Sequence, residues 1–238
     1  MSARFEELDR RPTRMGEIVL RRRLEPSLHV DVYEVKLDDE FLMSSLFTVA
    51  EIQLAKLALA EIPGSALDVM VGGLGLGYTA SAVLDDPRVQ TLHVVEALAE
   101  VIEWHQHQLL PLASVLTGDP RCHLVEGDFF GLVTHDFGTG PHVPRQWHAV
   151  LVDIDHTPRH LLHPSHAAFY EPTGLRRVAN HLYPGGVFAL WSDGQPDREF
   201  LTSLEQVFAS CEAHLVRFPN FNTDGESAST VYVAQARR

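Results

Sequence analysis

The chain has 238 residues, of which 45% are hydrophobic and 21% are charged, a balance typical of a folded globular protein and not of a disordered or fibrous one. Its 32 acidic and 19 basic residues give a formal net charge of −13, and a surface of this kind repels the phosphate backbone of nucleic acids. No apolar segment approaches the roughly 20 residues that span a bilayer, and no secretory signal is recognisable. We therefore expect a cytoplasmic protein that acts on small molecules, with no nucleic-acid or membrane partner.

The first part of the chain has the pattern of short β-strands. Apolar and polar residues alternate between 17 and 46, which predicts two or three strands. Thr48 and Glu51 have the spacing of a capping box, which predicts that a helix begins there. We therefore predict an N-terminal β-hairpin appendage over residues 1–47.

From there to the end, strands and helices alternate. Five apolar runs are predicted as buried strands; they cover 66–71, 92–96, 121–128, 148–155 and 187–192. Two further strands, 212–218 and 229–236, have no clear helix between them and predict a terminal antiparallel hairpin, and a Gly- and Pro-rich loop is predicted over 135–146. The βα repeat predicts a Rossmann-like catalytic domain over 48–238, with a seven-stranded, mostly parallel sheet and a nucleotide site at the carboxyl ends of its strands.

The first buried strand runs into a glycine-rich turn. A G-x-G-x-G pattern passes through Gly73, Gly75 and Gly77 directly after the strand, which suits an adenosyl-sulfonium cofactor. A dinucleotide pattern can also be drawn through Gly75, Gly77 and Ala80, but it begins late for a nicotinamide cofactor. A purely structural glycine turn is the third interpretation.

Two acids end the next two strands. Glu96 lies where a carboxylate can accept both ribose hydroxyl hydrogens. Asp128 could take an adenine amino group, and Phe129 could pack on the ring face. Each acid alone could simply cap a helix, but ligand-type residues at successive strand ends favour a nucleotide site.

The motifs taken in order resemble one family. GGLGLG, VVE, EGDFF, LVDIDHTP and AFYEPTGLRRVANHLYPGG cover roughly residues 60–195 and look like the spermidine synthases, the aminopropyltransferases. The resemblance implies an α/β fold of the class I SAM-methyltransferase type with a small N-terminal β domain. It also implies S-adenosylmethionine or decarboxylated S-adenosylmethionine as cofactor, methylthioadenosine as a possible product, an amine acceptor and a homodimer.

The resemblance also assigns roles to residues of this chain. Glu96 would bind the ribose and Asp128 the adenine. Asp153 matches the acid held to deprotonate the attacking amine in this family, and a carboxylate base is what such an amine needs. Asp153, Asp155 and His156 are therefore the candidate catalytic residues.

Three departures from the family pattern alter what is expected. Gly75 stands where the family usually carries an acid that holds the aminopropyl amine. The second acid of the family's D-x-x-D loop falls on His156, with Asp155 one position early, and the family's N-terminal Gln and Asp-Glu pair have no counterpart. A small-molecule methyltransferase, or a catalytically silent nucleotide-binding relative, therefore stays an alternative to amine alkylation.

Four histidines follow the fourth strand, and they could bind zinc; they are His156, His160, His163 and His166. Prolines interrupt any helix that would align them, so we predict loop histidines and no metal. His156 differs from the others because it adjoins Asp155, and it could orient an acceptor or relay a proton.

Overall fold

The structure, a computed structural model, describes residues 5–135, 144–221, 223 and 225–238. The strands are β1 (Phe5–Thr13), β2 (Gly16–Glu25), β3 (Val30–Leu37), β4 (Glu40–Ser44), β5 (Leu67–Gly72), β6 (Val89–Glu96), β7 (Cys122–Glu126), β8 (Trp147–Val152), β9 (Leu182–Asp193), β10 (Ser210–Asn220) and β11 (Gly225–Gln235). The helices are α1 (Val49–Ala60), α2 (Tyr78–Leu84), α3 (Ala99–Gln106), α4 (Ala113–Gly118), α5 (Phe129–His135), α6 (Ala167–Tyr170), α7 (Pro172–Asn180) and α8 (Arg198–Glu205).

The second sheet confirms the predicted fold class. Its seven strands lie in the order β10-β11-β9-β8-β5-β6-β7. All neighbours are parallel except β9, β10 and β11, which form the antiparallel end that the sequence predicted. The chain builds outward from β5 through β6 to β7 and then returns to place β8 on the other side of β5. The gap between the β5 and β8 ends is the switch point at which open α/β sheets bind ligands.

The N-terminal sheet is larger than expected. It is antiparallel with four strands in the order β1-β2-β3-β4, whereas two or three strands were predicted from residue 17 onward. The additional strand is β1, whose nine residues contain none that is fully buried. An edge strand of this kind lacks the apolar alternation by which a strand is recognised. The sequence pattern therefore did not predict β1 or its pairing with β2.

Two contacts fix the N-terminal sheet to helix α3. The indole Nε1–H of Trp104 donates to the carboxylate of Asp9 at 2.6 Å, and the guanidinium of Arg11 donates to Glu103 at 2.5 Å. Apolar residues of β2 and β3 join the core on the same face of the large sheet. The N-terminal sheet therefore lies over the carboxyl ends of β5 and β6.

Three local predictions differ from the structure. The capping box is wrong, because the Thr48 side chain makes no capping hydrogen bond and Glu51 is directed elsewhere, as described below. The fourth strand ends at Val152 instead of 155, and the fifth begins at Leu182, where it pairs with Trp147 ahead of a register shift. The predicted loop over 135–146 lies largely outside the described residues.

Within the described part of the chain, no helix has the length and apolar character needed to cross a membrane.

Candidate active site

Two cavities meet at the switch point. The first, which we call the β6–β7 cavity, has a volume of about 770 Å³ with its mouth and is lined by Glu96 and Asp128. The second, the α1 cavity, has about 620 Å³ and is lined by Glu51, Tyr78 and Trp191. Six residues line both cavities and form a shared wall; they are Leu42, Met43, Gly75, Asp153, Ile154 and Leu162.

The glycine turn adopts a conformation that favours glycine. Gly73, Gly75 and Gly77 have φ angles of +95°, +48° and +91°, in the region that residues with a Cβ rarely adopt. A Cβ on Gly73 would lie 2.1 Å from the carbonyl oxygen of Asp153. The three predicted glycines therefore let the β5–α2 turn approach the end of β8 directly.

A buried histidine supports this turn from below. His105 Nε2 lies 2.9 Å from the carbonyl oxygen of Gly75, so this nitrogen carries the hydrogen and donates it. Burial lowers the pKa of His105, which keeps the ring neutral. The orientation of the Gly75 peptide is thus fixed from α3.

Glu96 lies at the end of β6, where it was predicted, and binds the backbone on both sides of the cavity floor. Its Oε2 accepts from the Leu74 N–H at 3.0 Å and its Oε1 from the Leu98 N–H at 2.9 Å. Burial raises the pKa of Glu96, while the backbone N–H donors oppose that rise. Backbone N–H groups of the glycine turn and of the start of α3 thus hold the carboxylate in a fixed position at the edge of the cavity.

Asp128 and Phe129 occupy the far end of the β6–β7 cavity. Asp128 is exposed and its Oδ1 accepts from the Phe130 N–H at 3.1 Å. The acid therefore caps α5 and also lines the cavity. The ring of Phe129 packs against Gly72, where a Cβ would lie 2.7 Å from the ring.

Asp153 lies between the two cavities. Its Oδ2 accepts from the hydroxyl of Thr79 at 2.7 Å, and no other side-chain donor to it is present among the described residues. Burial raises the pKa of Asp153 to about 6, and the Thr79 hydrogen bond only partly offsets this.

The sequence did not identify Glu51 as a site residue. Glu51 and Asp153 both line the α1 cavity. Burial, followed by the charge of Asp153, raises the pKa of Glu51 to about 8. Two carboxylates that share a buried site do not both ionise readily, so their proximity favours a proton on one of them.

A signal for Glu51 exists in the sequence. The buried face of α1 includes Leu54, Ala55 and Ala58, and Glu51 precedes them by three, four and seven residues. It therefore lies on the apolar stripe of the helix, where a carboxylate that is not a cap is unusual and points to a functional role.

Asp155 has a different environment from Asp153. Its side chain is fully buried and accepts from the Leu162 N–H at 2.7 Å, from Tyr170 OH at 2.7 Å and from His166 Nδ1 at 2.9 Å. It lines neither cavity. The structure thus places this candidate catalytic residue beneath the loop that follows β8, because the loop and α6 supply the donors.

His156 lines the α1 cavity as the sequence suggested. Its Nε2 lies 3.1 Å from Glu40 Oε1 of β4, and His160 Nε2 lies 3.4 Å from the same oxygen. His166 lines the other cavity, so the four histidines are divided over the loop. In the described part of the chain, no group of three or more His, Cys, Asp or Glu residues has the arrangement of a metal site.

The charge of the site is of one sign. Glu51, Glu96, Asp128 and Asp153 line the two cavities, and none of the described lining residues is a lysine or an arginine. A phosphate or pyrophosphate would meet carboxylates without a compensating cation. The site therefore suits a positively charged ligand.

Comparisons with known proteins agree with the fold. No protein-family model and no curated protein matches the chain. Among solved structures, a spermidine synthase from Thermotoga maritima superimposes with a TM-score of 0.74 over 97% of this chain and 72% of that chain, at 16% identity. A spermidine synthase in complex with the transition-state analogue AdoDATO gives 0.72, with the same coverage and identity.

A third solved structure is a methyltransferase-like protein. Human Methyltransferase-like protein 13 in complex with SAH matches with a TM-score of 0.53 over 80% of this chain and 79% of that chain, at 23% identity. These likenesses show that the chain has a spermidine synthase-like fold of the class I methyltransferase type, as the motifs predicted.

Proposed function

We propose that this protein is a spermidine synthase-like transferase that uses a sulfonium nucleotide, decarboxylated S-adenosylmethionine or S-adenosylmethionine, to alkylate an amine acceptor. The observation that carries the proposal is the pair of buried carboxylates Glu51 and Asp153. Asp153 lines both cavities and Glu51 lines the α1 cavity, in a site without a lining lysine or arginine among the described residues. A sulfonium and an ammonium are the two cations that such a reaction brings together.

The β6–β7 cavity fits the nucleoside part of this cofactor. Glu96, which lines this cavity at the end of β6, would accept the ribose hydroxyl hydrogens. Asp128 would accept from the adenine amino group, and the cavity beside Phe129 would hold the ring. The close approach of Gly73 to Asp153 holds the glycine turn against the end of β8, so both segments contribute to the wall of this cavity.

When bound, the cofactor supplies an electrophilic carbon on a positively charged sulfur and leaves as a neutral thioether nucleoside. The acceptor amine must present a free lone pair to that carbon, so it must lose a proton. We assign this proton to Asp153, because Asp153 lines both cavities and Thr79 donates only to its Oδ2. Proton transfer of this kind contributes about 10²–10⁴-fold in rate, and the in-line arrangement of the amine contributes further.

Glu51 adjusts the charge of the base. Burial raises the pKa of both acids, which favours a proton on the pair. A proton on Glu51 would reduce the negative charge beside Asp153 and so favour the ionised form of Asp153. We expect His156, which lines the same cavity, to orient the acceptor.

Methyl transfer is the second candidate, and the neighbourhood of Gly75 favours it. A Cβ on Gly75 would lie 2.7 Å from the sulfur of Met43, so an apolar side chain fills the place where the resemblance expects an acid. The cofactor's amine would find no carboxylate at that point. We therefore expect less than ~100-fold preference, or ~2.7 kcal/mol, for the decarboxylated cofactor over S-adenosylmethionine.

The test is product analysis. The protein is incubated with each cofactor and a panel of amines, polyamines included, and products are identified by mass spectrometry. Methylthioadenosine with an aminopropylated amine supports the first candidate, and S-adenosylhomocysteine with a methylated amine supports the second. Tight binding of methylthioadenosine with no product from any amine would favour the catalytically silent relative.

A further inference from the structure

His166 is held in a fixed position by a residue that the reaction does not use. Its Nδ1 lies 2.9 and 3.0 Å from the two carboxylate oxygens of Asp155. Asp155 is held in turn by Tyr170 OH and by the Leu162 N–H. The imidazole is therefore anchored from the interior of the protein.

This anchor decides which nitrogen of the ring carries hydrogen. The carboxylate oxygens of Asp155 accept, so Nδ1 is the donor. In the neutral ring the opposite nitrogen, Nε2, is then an acceptor. A histidine fixed by a carboxylate in this way presents one defined lone pair.

His166 lies at the same end of the β6–β7 cavity as Asp128. Its ring stacks on that of Phe130, with centroids 4.0 Å apart and planes at 28°. The backbone N–H of Phe130 donates to Asp128, so the three residues are directly connected. His166 and Asp128 both line the cavity.

We propose that His166 binds the nucleobase and that Nε2 accepts one hydrogen of the exocyclic amino group while Asp128 accepts the other. The proposal rests on the proposed function, since it concerns the adenine of the same nucleotide. The exocyclic amino group is the only N–H donor of the adenine ring, and it has two hydrogens. Two acceptors at one end of the cavity match this group and reject a 6-oxo purine, whose oxygen would face both.

The test compares the binding of three nucleosides to matched variants. The ligands are methylthioadenosine, its analogue with hydrogen in place of the 6-amino group, and its 6-oxo analogue, measured by calorimetry. His166→Asn removes Nε2 but keeps an amide N–H in place of Nδ1, so the Asp155 contact remains. His163→Asn is the control, because His163 is exposed, lies outside both cavities and caps a short turn, a role that Asn also fills.

We expect His166→Asn to weaken methylthioadenosine binding about 3- to 10-fold, the effect of one hydrogen bond. Binding of the 6-hydrogen analogue should be the same in this variant and the wild type, and the 6-oxo analogue should bind the wild type weakest. His163→Asn should leave all three affinities unchanged.

Other outcomes overturn the inference. An equal loss for methylthioadenosine and the 6-hydrogen analogue would mean that His166 acts through packing on Phe130. No loss for methylthioadenosine would remove His166 from the binding site while leaving the proposed function intact. A wild-type protein that binds none of the nucleosides would contradict the proposed function itself, and this inference with it.

Discussion

Both cavities are lined by carboxylates, but the number of hydrogen-bond donors around these carboxylates differs between the two cavities. In the β6–β7 cavity, Glu96 accepts from backbone N–H groups of the β5–α2 turn and of the start of α3, and Asp128 accepts from one at the start of α5. In the α1 cavity, Asp153 has one hydroxyl donor, and Glu51 has its pKa raised by burial and by its neighbour. Carboxylates held by backbone donors present acceptors in fixed positions and are suited to binding, whereas carboxylates with few donors are suited to taking and giving a proton.

The same contrast recurs within two residues of sequence. Asp153 and Asp155 both follow β8, yet Asp155 has three donors, two of them side chains, and Asp153 has one. The number of donors around a carboxylate, more than its place in a motif, separates an acid that reacts from an acid that supports the structure.

The largest expected effect comes from Asp153→Asn. The amide keeps the shape and the Thr79 contact but cannot take a proton from the amine. Turnover should fall ~10²–10⁴-fold, while methylthioadenosine affinity changes little because ribose and adenine are held elsewhere. Steady-state rates on the amine panel and calorimetry measure both quantities. Normal turnover, or loss explained by a lowered Tm, would remove the general-base role.

The next largest effect is expected from Glu96→Gln. Binding of S-adenosylmethionine, its decarboxylated form and methylthioadenosine should weaken similarly, by about 10- to 100-fold, because the ribose is common to all and the lost bonds involve a charged acceptor. Part of the loss would come from the glycine turn, since a Gln amide nitrogen cannot accept from Leu74 or Leu98.

A matched control separates these causes. Glu126 pairs in register with Glu96 on the neighbouring strand but lines neither cavity. Glu126→Gln should leave the affinities unchanged. Unaltered binding by the Glu96 variant would contradict the cofactor assignment.

Asp155→Asn should affect stability more than chemistry. The amide leaves one of the donors from Tyr170, His166 and Leu162 without an acceptor, which costs about 1–3 kcal/mol and lowers Tm by several degrees. Turnover should fall much less than for Asp153→Asn. Thermal denaturation, together with rates at a temperature where both variants are folded, provides the comparison. An equal loss of turnover in the two variants would contradict the assignment of a catalytic role to Asp153 and a structural role to Asp155.

The smallest effect is a pH-dependent gain in stability from Glu51→Gln. The folded wild type keeps a proton on Glu51 up to about pH 8, whereas the unfolded chain loses it near pH 4.3. Between these values the folded state binds more protons, so stability falls as pH rises. The Gln variant lacks this penalty.

The variant should therefore match the wild type near pH 4 and exceed it near pH 9 by more than about 1 kcal/mol, the equivalent of one pKa unit. Urea denaturation at the two pH values measures the difference. Glu61→Gln, at the exposed end of α1, is the control and should show no such change. A Glu51 variant that gains nothing at pH 9 would show that Glu51 does not retain its proton.

The sequence predicts the large sheet and one half of the site for the same reason. In parallel βα units the carboxyl ends of the strands meet at one edge, so Glu96, Asp128 and Asp153 could be brought together from their places after three strands. The glycine turn follows the same logic. These residues are positioned by local structure alone.

The remaining features depend on contacts between distant segments. Glu51 lies in the cavity with Asp153 only because α1 packs beside α2 and the sheet. In the sequence, its three-residue spacing from Thr48 is that of a capping box, so the pattern predicts a helix cap instead of a site residue. Asp155 turns inward because Tyr170 and His166 arrive from α6 and the loop before it. The sequence of β8 contains no pattern that predicts those partners, so sequence reasoning could not distinguish the roles of Asp153 and Asp155.

The contacts of Asp9 with Trp104 and of Arg11 with Glu103 have a consequence for synthesis of the chain. The N-terminal sheet is synthesised before α3, which begins roughly 60 residues after the end of β3. At about 5–20 residues per second, the sheet waits on the order of 3–12 s in the nascent chain before these two contacts can form. During this interval Ile18, Val35 and Leu37, which line the β6–β7 cavity in the folded protein, lack the cover that α3 helps to hold in place.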